Sequence, residues 1–324
     1  MGDNQTNNRY SKVDSSGQSS SGDHSDGNRS AGSFSSVNKT PKHRNGLFWS
    51  ILFGFAGIYL LLIVALLVAD LQFSSIADLC KLISDPNVQY SISLSVISSS
   101  IASILAMWIA VPTGYWLARF DSNQSTRFAR RLIKKLIFAL LDIPIVLPPI
   151  VVGISLLVLF QTPAGKQLDS IFVAVIHYLG FDQVTGITYE IPAVILAQFT
   201  VVTAFAIRTM RRCYAQIDPR PEQVARTLGA SDYQAFAKIA FPQSLGGMVA
   251  AFTLAWARAI GEFGPVLIFA GTARLKTEVL PTTIYLSFQS GDLRSAVSAS
   301  MILIFIALTV LILVRWLAPE RTLS

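Results

Sequence analysis

Six apolar runs alternate with polar and basic stretches along this chain, running from Leu47 to Ala69, Ile92 to Leu117, Leu136 to Phe160, Ile191 to Ile207, Leu245 to Phe269 and Ala296 to Leu317. Each has the length of a helix that crosses a hydrocarbon core of roughly 30 Å. A weaker run, Ile171 to Leu179, is too short to span and is interrupted by His177, so it predicts a short helix at the outer face with His177 as an interfacial residue. Residues 1–46 are rich in Ser, Gly, Asn and Asp and hold almost no large apolar side chain. Such a segment cannot build a core and reads as a disordered tail. The polar lead is too long, and the first apolar run too extended, for a signal peptide. The expected organisation is therefore a tail over 1–46, a membrane domain over 47–318 and a short end over 319–324.

Composition changes this picture little. Of 324 residues, 52% are hydrophobic and 14% charged, which excludes an ordinary soluble domain and leaves an all-α integral membrane protein. The net charge of +7 is not a nucleic-acid signal, because Lys and Arg fall in blocks between apolar runs: six before the first, six over 119–135 and six over 208–238. The intervening loops carry few. The positive-inside rule then puts both termini in the cytosol of a multi-pass protein of the inner (plasma) membrane. Cys80 and Cys213 fall on opposite sides of the membrane and cannot pair within one chain.

Between the fourth and fifth runs lies DPRPEQVARTLGASDYQAFAKIAFP, residues 218–242. Pro219, Pro221 and the acid Glu222 open a short helix, and Arg226 followed by Gly229 closes it with a left-handed cap. Ser231 and Gln234 form a capping box that starts a second short helix ending at Pro242. Val224, Ala225, Leu228, Phe236 and Ile239 give the pair an apolar face too small to bury itself, so a groove on this chain or a partner covers it.

This insert resembles the EAA loop of ABC importer permeases: Glu-Ala-Ala, three residues, Gly, nine residues, Ile, one residue, Leu-Pro. Gly229, Ile239 and Pro242 hold the matching positions and Ala225 is kept, while Gln223, Val224 and Phe241 depart from the pattern and Glu222 lies one residue early. The resemblance implies a docking loop for a cytosolic ATPase, made by Glu222, Gln223, Ala225, Gly229, Ala230, Phe236, Ile239 and Pro242.

Two further places carry candidate chemistry. Asp142, Pro144, Pro148, Pro149 and Gly153 interrupt the third run, and backbone breaks persist in a membrane only where protein or water satisfies the freed groups. Asp142 is either a residue of the cytosolic end or part of a pathway. In the fifth run Arg258 and Glu262 stand four residues apart among apolar residues, with Gly261, Gly264 and Pro265 around them. Either they neutralise each other along one helix face, or Arg258 faces an aqueous path and attracts an anion. The serines of the second run, Ser93 to Ser103, point to close helix packing in preference to pore lining. Gly271 to Thr277 ends in Lys-Thr but has Leu275 where a Walker A loop needs its second glycine. The chain is thus expected to bind no cofactor and to be no enzyme.

The stretch ARAIGEFG from Ala257 is similar to permeases for tetrahedral oxyanions. LLDIPIVLPPIVVGISLLVLF from Leu140, EQVARTLGAS from Glu222 and LPTTIYLSFQSGDL from Leu280 look most like the molybdate/tungstate branch, whereas Lys276 to Val279 is reminiscent of sulfate permeases. The likeness covers roughly residues 85–317. It implies six transmembrane helices of the MetI-like permease type, a homodimeric pore, an ATPase that binds ATP and Mg, and a periplasmic or lipid-anchored oxyanion-binding protein. Arg258, Gly261, Glu262 and Gly264 are the path candidates. Sulfate or thiosulfate import is the alternative substrate reading. A secondary transporter or a membrane receptor is the alternative class, although no repeated halves with paired broken helices are visible.

Overall fold

The structure, a computed structural model, describes residues 45–122, 128–178, 180 and 185–317. The expected tail and the C-terminal end 319–324 lie outside the described residues. Every regular element among the described residues is helical. The chain divides into a unit up to Ile58 and a large unit from Tyr59 onward.

Helix α1, Asn45–Phe73, is apolar on all sides and exposed along its length, as a helix facing lipid is. Two helices follow: α2, Ile76–Ile83, opens on a Ser75/Asp78 capping box, and α3, Pro86–Ser122, is the longest helix among the described residues. The third apolar run is not one straight helix. It forms α4, Phe128–Val146, and α5, Pro149–Gln161, set 107° apart. The break falls at Leu147 and Pro148, where a second proline at 149 leaves two successive residues without an amide donor. The segment after α5 holds α6, Pro163–Tyr178, a helix much longer than the Ile171 to Leu179 run suggested, because its first half is polar and invisible to a hydropathy window.

Helix α7, Ile191–Gln216, is the central post. The insert gives α8, Arg220–Thr227, and α9, Asp232–Ala235. The second insert helix does not end at Pro242. It passes through a π turn, Phe236–Ala240, directly into α10, Phe241–Ile260. Proline lacks an amide and crowds the carbonyl four residues back, and the wider turn just before it relieves both. The fifth apolar run in turn ends early: α10 stops at Ile260, and α11, Gly264–Phe269, is a separate short helix. Helix α12, Leu280–Gln289, follows, and α13, Leu293–Leu317, is the last described helix.

The core lies where α3, α7 and α10 meet. Ala106, Ala110, Ala206, Ala251, Ala255 and Ala259 are fully buried there, and small side chains let backbones approach closely, which is how helices associate in lipid. The closest approach is at Gly114, where a Cβ would lie 2.7 Å from the Met210 Cβ and 2.9 Å from the Arg211 amide nitrogen. A second cluster joins α5 and α11 to α7 through Val152, Leu156, Phe160, Val201, Val266 and Phe269. The buried serines of α3 are spent on packing: Ser95, Ser99 and Ser103 donate to carbonyls four residues back, and Ser95 also accepts from the Leu280 amide at the start of α12.

Gly114→Val drives a branched side chain into backbone that has no room to yield. We predict a drop in the yield of monodisperse protein in detergent, while Gly57→Val, whose Cβ meets nothing within 4 Å, leaves it unchanged.

Candidate coupling loop and translocation path

The insert is assembled by caps that local sequence dictates. The Asp218 carboxylate accepts from the Arg220 amide at 3.0 Å, and two prolines and Glu222 open α8. Its end is left-handed, with φ +92° at Gly229, and the Ala230 amide returns to the Ala225 carbonyl at 3.0 Å. This closure satisfies carbonyls the helix end would otherwise leave open. Ser231 and Gln234 then exchange their capping bonds at 2.9 and 3.2 Å, and the Arg226 Nε to Asp232 Oδ1 contact at 2.9 Å ties α8 to α9.

What fastens the pair to the membrane domain is Glu222. It is 1% exposed. Its carboxylate pairs with the Arg119 guanidinium of α3, accepts from the Tyr115 hydroxyl at 2.7 Å, and lies 3.8 Å from Arg226. Arg119 also donates to the carbonyls of Tyr214 and Ile217, at 3.3 and 3.4 Å, closing the C-terminal end of α7. Below this clamp Phe236 packs against Tyr115, Tyr214 and Phe241 with ring centroids 4.7, 6.4 and 6.1 Å away. The expected apolar face is therefore split. Phe236 and Ile239 are partly buried and Glu222 points inward, so Glu222 presents no outward contact; Gln223, Val224, Leu228 and Tyr233 are exposed, Leu228 by 83%. Ala225 and Ala230 are half-buried.

The fifth run departs from expectation where it was most informative. Because α10 ends at Ile260, Glu262 is not on the helix that carries Arg258, and the two are not among the ion pairs within 4.0 Å in the described residues. They form no direct ion pair along one helix face, although Arg258 still acts on Glu262 through its charge. Glu262 is buried, whereas Arg258 is exposed with its guanidinium 4.5 Å over the Phe205 ring of α7. Gly264 and Gly153 let the two broken runs dock on each other: a Cβ at Gly264 would meet the Ile150 amide nitrogen at 3.0 Å, and one at Gly153 the Pro265 Cα at 2.8 Å. Gly261 closes α10. Asp142 pairs with Arg208 at 2.8 Å, joining α4 to α7, and one helical turn away Arg211 lies 4.1 Å over Phe138. Phe205, Arg208 and Arg211 are spaced by three along α7, so they share a face.

Sequence reading missed Tyr115, Arg119 and Arg208 as functional partners. Arg119 and Arg208 entered it only as orientation charges, since their acidic partners lie far along the chain.

A helical membrane domain with broken spans is the fold of an ABC importer permease. Two solved structures share it: the bacterial alginate ABC transporter in complex with an alginate pentasaccharide-bound periplasmic protein, and a bacterial ABC transporter involved in alginate import. Each has TM-score 0.61, the first at 17% identity covering 87% of this chain and 96% of that one, the second at 16% covering 87% and 97%. Residues 110–322 match the family of binding-protein-dependent transport system inner membrane components, and the chain belongs to that family. Among its relatives are a molybdate/tungstate transport system permease protein of Thermococcus kodakarensis, 32% identical over 83% of this chain and 96% of that protein, and one of Pyrococcus abyssi, 33% identical over 82% and 94%. A sulfate transport system permease protein of Escherichia coli is 29% identical over 78% and 86%.

Breaking a buried ion pair by removing one partner costs roughly 3–5 kcal/mol. Glu222→Ala is predicted to lower the thermal midpoint and to open the insert to proteolysis, while Arg119→Met with Glu222→Leu recovers most of the midpoint. A midpoint unmoved by Glu222→Ala contradicts the clamp.

Proposed function

We propose that this chain is the permease through which a tetrahedral oxyanion, molybdate or tungstate, enters the cytoplasm, with both termini cytosolic and two copies forming the pore. The observation that carries the anion reading is Arg258, an exposed guanidinium at the break of the fifth apolar segment with no carboxylate within 4.0 Å among the described residues. An ionised side chain at such depth faces water, not lipid, so its surface is the path. The cation attracts the anion, and its seat on Phe205 holds it in place. The molybdate/tungstate relatives support the substrate. Selection between oxyanions of equal charge belongs to the binding protein, because a path must release what it admits.

Moving a dianion inward against about 100 mV opposes roughly 4.6 kcal/mol, twice the single-charge figure, so an external energy source is required. The ATPase supplies it by docking on 218–242, where Gln223, Val224, Leu228 and Tyr233 form the outward surface. On this reading ATP and Mg bind the ATPase; in this chain the Lys276, Thr277 and Glu278 amides all donate to the Ala273 carbonyl, which supports the reading that the Gly271 to Thr277 loop is no phosphate cradle.

Vesicles holding the permease, its ATPase and its binding protein are predicted to take up molybdate without competition from equimolar sulfate. Preferential sulfate uptake overturns the substrate. Arg258→Met is predicted to lower uptake by roughly tenfold or more, as loss of a charge-assisted contact of about 1.5–3 kcal/mol implies, with assembly intact. Normal uptake by Arg258→Met removes Arg258 from the path.

Gly229→Val puts a β-branched residue at φ +92°, where only glycine is unstrained. It is predicted to abolish co-purification of the ATPase and uptake while membrane insertion persists; wild-type values for both would exclude docking on this loop.

A further inference from the structure

At the end of the bundle opposite the coupling loop, the end of α2, the start of α3 and residues from Thr272 to Ser295 line an open cavity of about 520 Å³. Glu278 lies in its wall, 3% exposed. One carboxylate oxygen accepts from the Thr283 hydroxyl at 2.8 Å, and the other has no hydrogen-bond partner. Leaving a buried carboxylate oxygen unpaired is costly, so the site is built for a donor that the chain does not supply.

The surrounding charges say what kind. Asp85 and Asp292 line the same cavity, against one base, Arg274, giving three carboxylates to one guanidinium. The other two acids are occupied. Asp85 accepts from the amide and side chain of Asn87 at 2.9 and 3.0 Å. Asp292 accepts from the Ser295 hydroxyl and amide, which hold its carboxyl below the ordinary range. Both also line a smaller adjoining cavity that contains Lys81 and Arg294. The nearby Lys276 is taken by Glu190 at 2.5 Å. Glu278 alone is left waiting. A dianionic substrate is repelled by such a cavity, and among the described residues no group of three acidic, His or Cys side chains is close enough to hold a metal ion. The remaining class of ligand is an organic cation carried in from outside.

We propose that this cavity is a socket for a lysine or arginine side chain of the extracytoplasmic binding protein, received by Glu278. The proposal rests on the importer reading above, which puts this end outside the cell and makes transport depend on a docked binding protein. The socket wall is prefixed. Ala273 gathers three amides, and the Tyr90 hydroxyl holds the Lys276 carbonyl at 3.1 Å, so docking has little loop ordering to oppose it.

The test measures ATP hydrolysis by the reconstituted permease and ATPase against rising concentrations of molybdate-loaded binding protein. Glu278→Gln keeps the size of the side chain and an acceptor for Thr283 while removing the charge. The half-saturating binding-protein concentration is expected to rise roughly tenfold, the scale of one lost charge pair, with basal and maximal rates within about twofold of wild type. The difference from wild type should shrink as salt screens the pair. Glu278→Lys should be rescued by one Lys→Glu or Arg→Glu substitution on the docking face of the binding protein. An unchanged half-saturation in Glu278→Gln overturns the socket. So does a fall in maximal rate alone, or a wild-type shift of the same size on adding EDTA, which would assign the cavity to a metal ion. If only a sulfate-loaded protein stimulates the wild type, the substrate reading fails instead, and the Glu278 comparison is made with that protein.

Discussion

Everything the insert between α7 and α10 can do depends on one buried carboxylate. Glu222 would be an expensive group to bury alone, and it is tolerated because Arg119, Tyr115 and Arg226 converge on it. Arg119 is shared with the terminal carbonyls of α7, so α3, α7 and the insert meet at one point. A buried ion pair contributes little net stability compared with apolar packing, but removing one member is severe. Under the proposed docking its value is mechanical: a helix pair whose outer surface receives another protein must be fastened inside if displacement is to reach the membrane.

The membrane half obeys a related constraint. Backbone freed by Leu147, Pro148 and Pro149, and again after Ile260, cannot be left to lipid, and the two breaks are packed against each other through Gly153 and Gly264. A rigid post of α3, α7 and α10 thus carries two discontinuous segments, with Arg258 at the edge of one of them. The breaks give the bundle places to reorganise between outward and inward openings, as alternating transport requires.

The elements fixed by local chemistry were legible in the sequence. Gly229 in the left-handed region, the Ser231/Gln234 box and the break before Pro149 all follow from residues within a few positions of each other. The errors have a common origin in long-range contacts and in hydropathy averages. Glu222 looked outward because its partners Tyr115 and Arg119 are over a hundred residues away. Glu262 was placed on the Arg258 helix because Gly261, Phe263 and Gly264 do not lower apolarity enough to mark an end. Pro242 looked like a stop because a π turn before it cannot be read from residue types. Glu278 was met only within Lys276 to Val279, a stretch noted for its likeness to sulfate permeases; its burial beside Asp85 and Asp292 comes from bringing two distant segments together.

The central claim is that force from the ATPase enters through the exposed surface of α8, held from within by Glu222. A photoreactive residue at Leu228, read in the assembled transporter with and without ATP, tests it directly. The account predicts a cross-link from position 228 to the ATPase in both states, with nucleotide-dependent uptake preserved before irradiation and lost after it. A cross-link to lipid or to this chain alone, with the ATPase bound at normal yield, would contradict it.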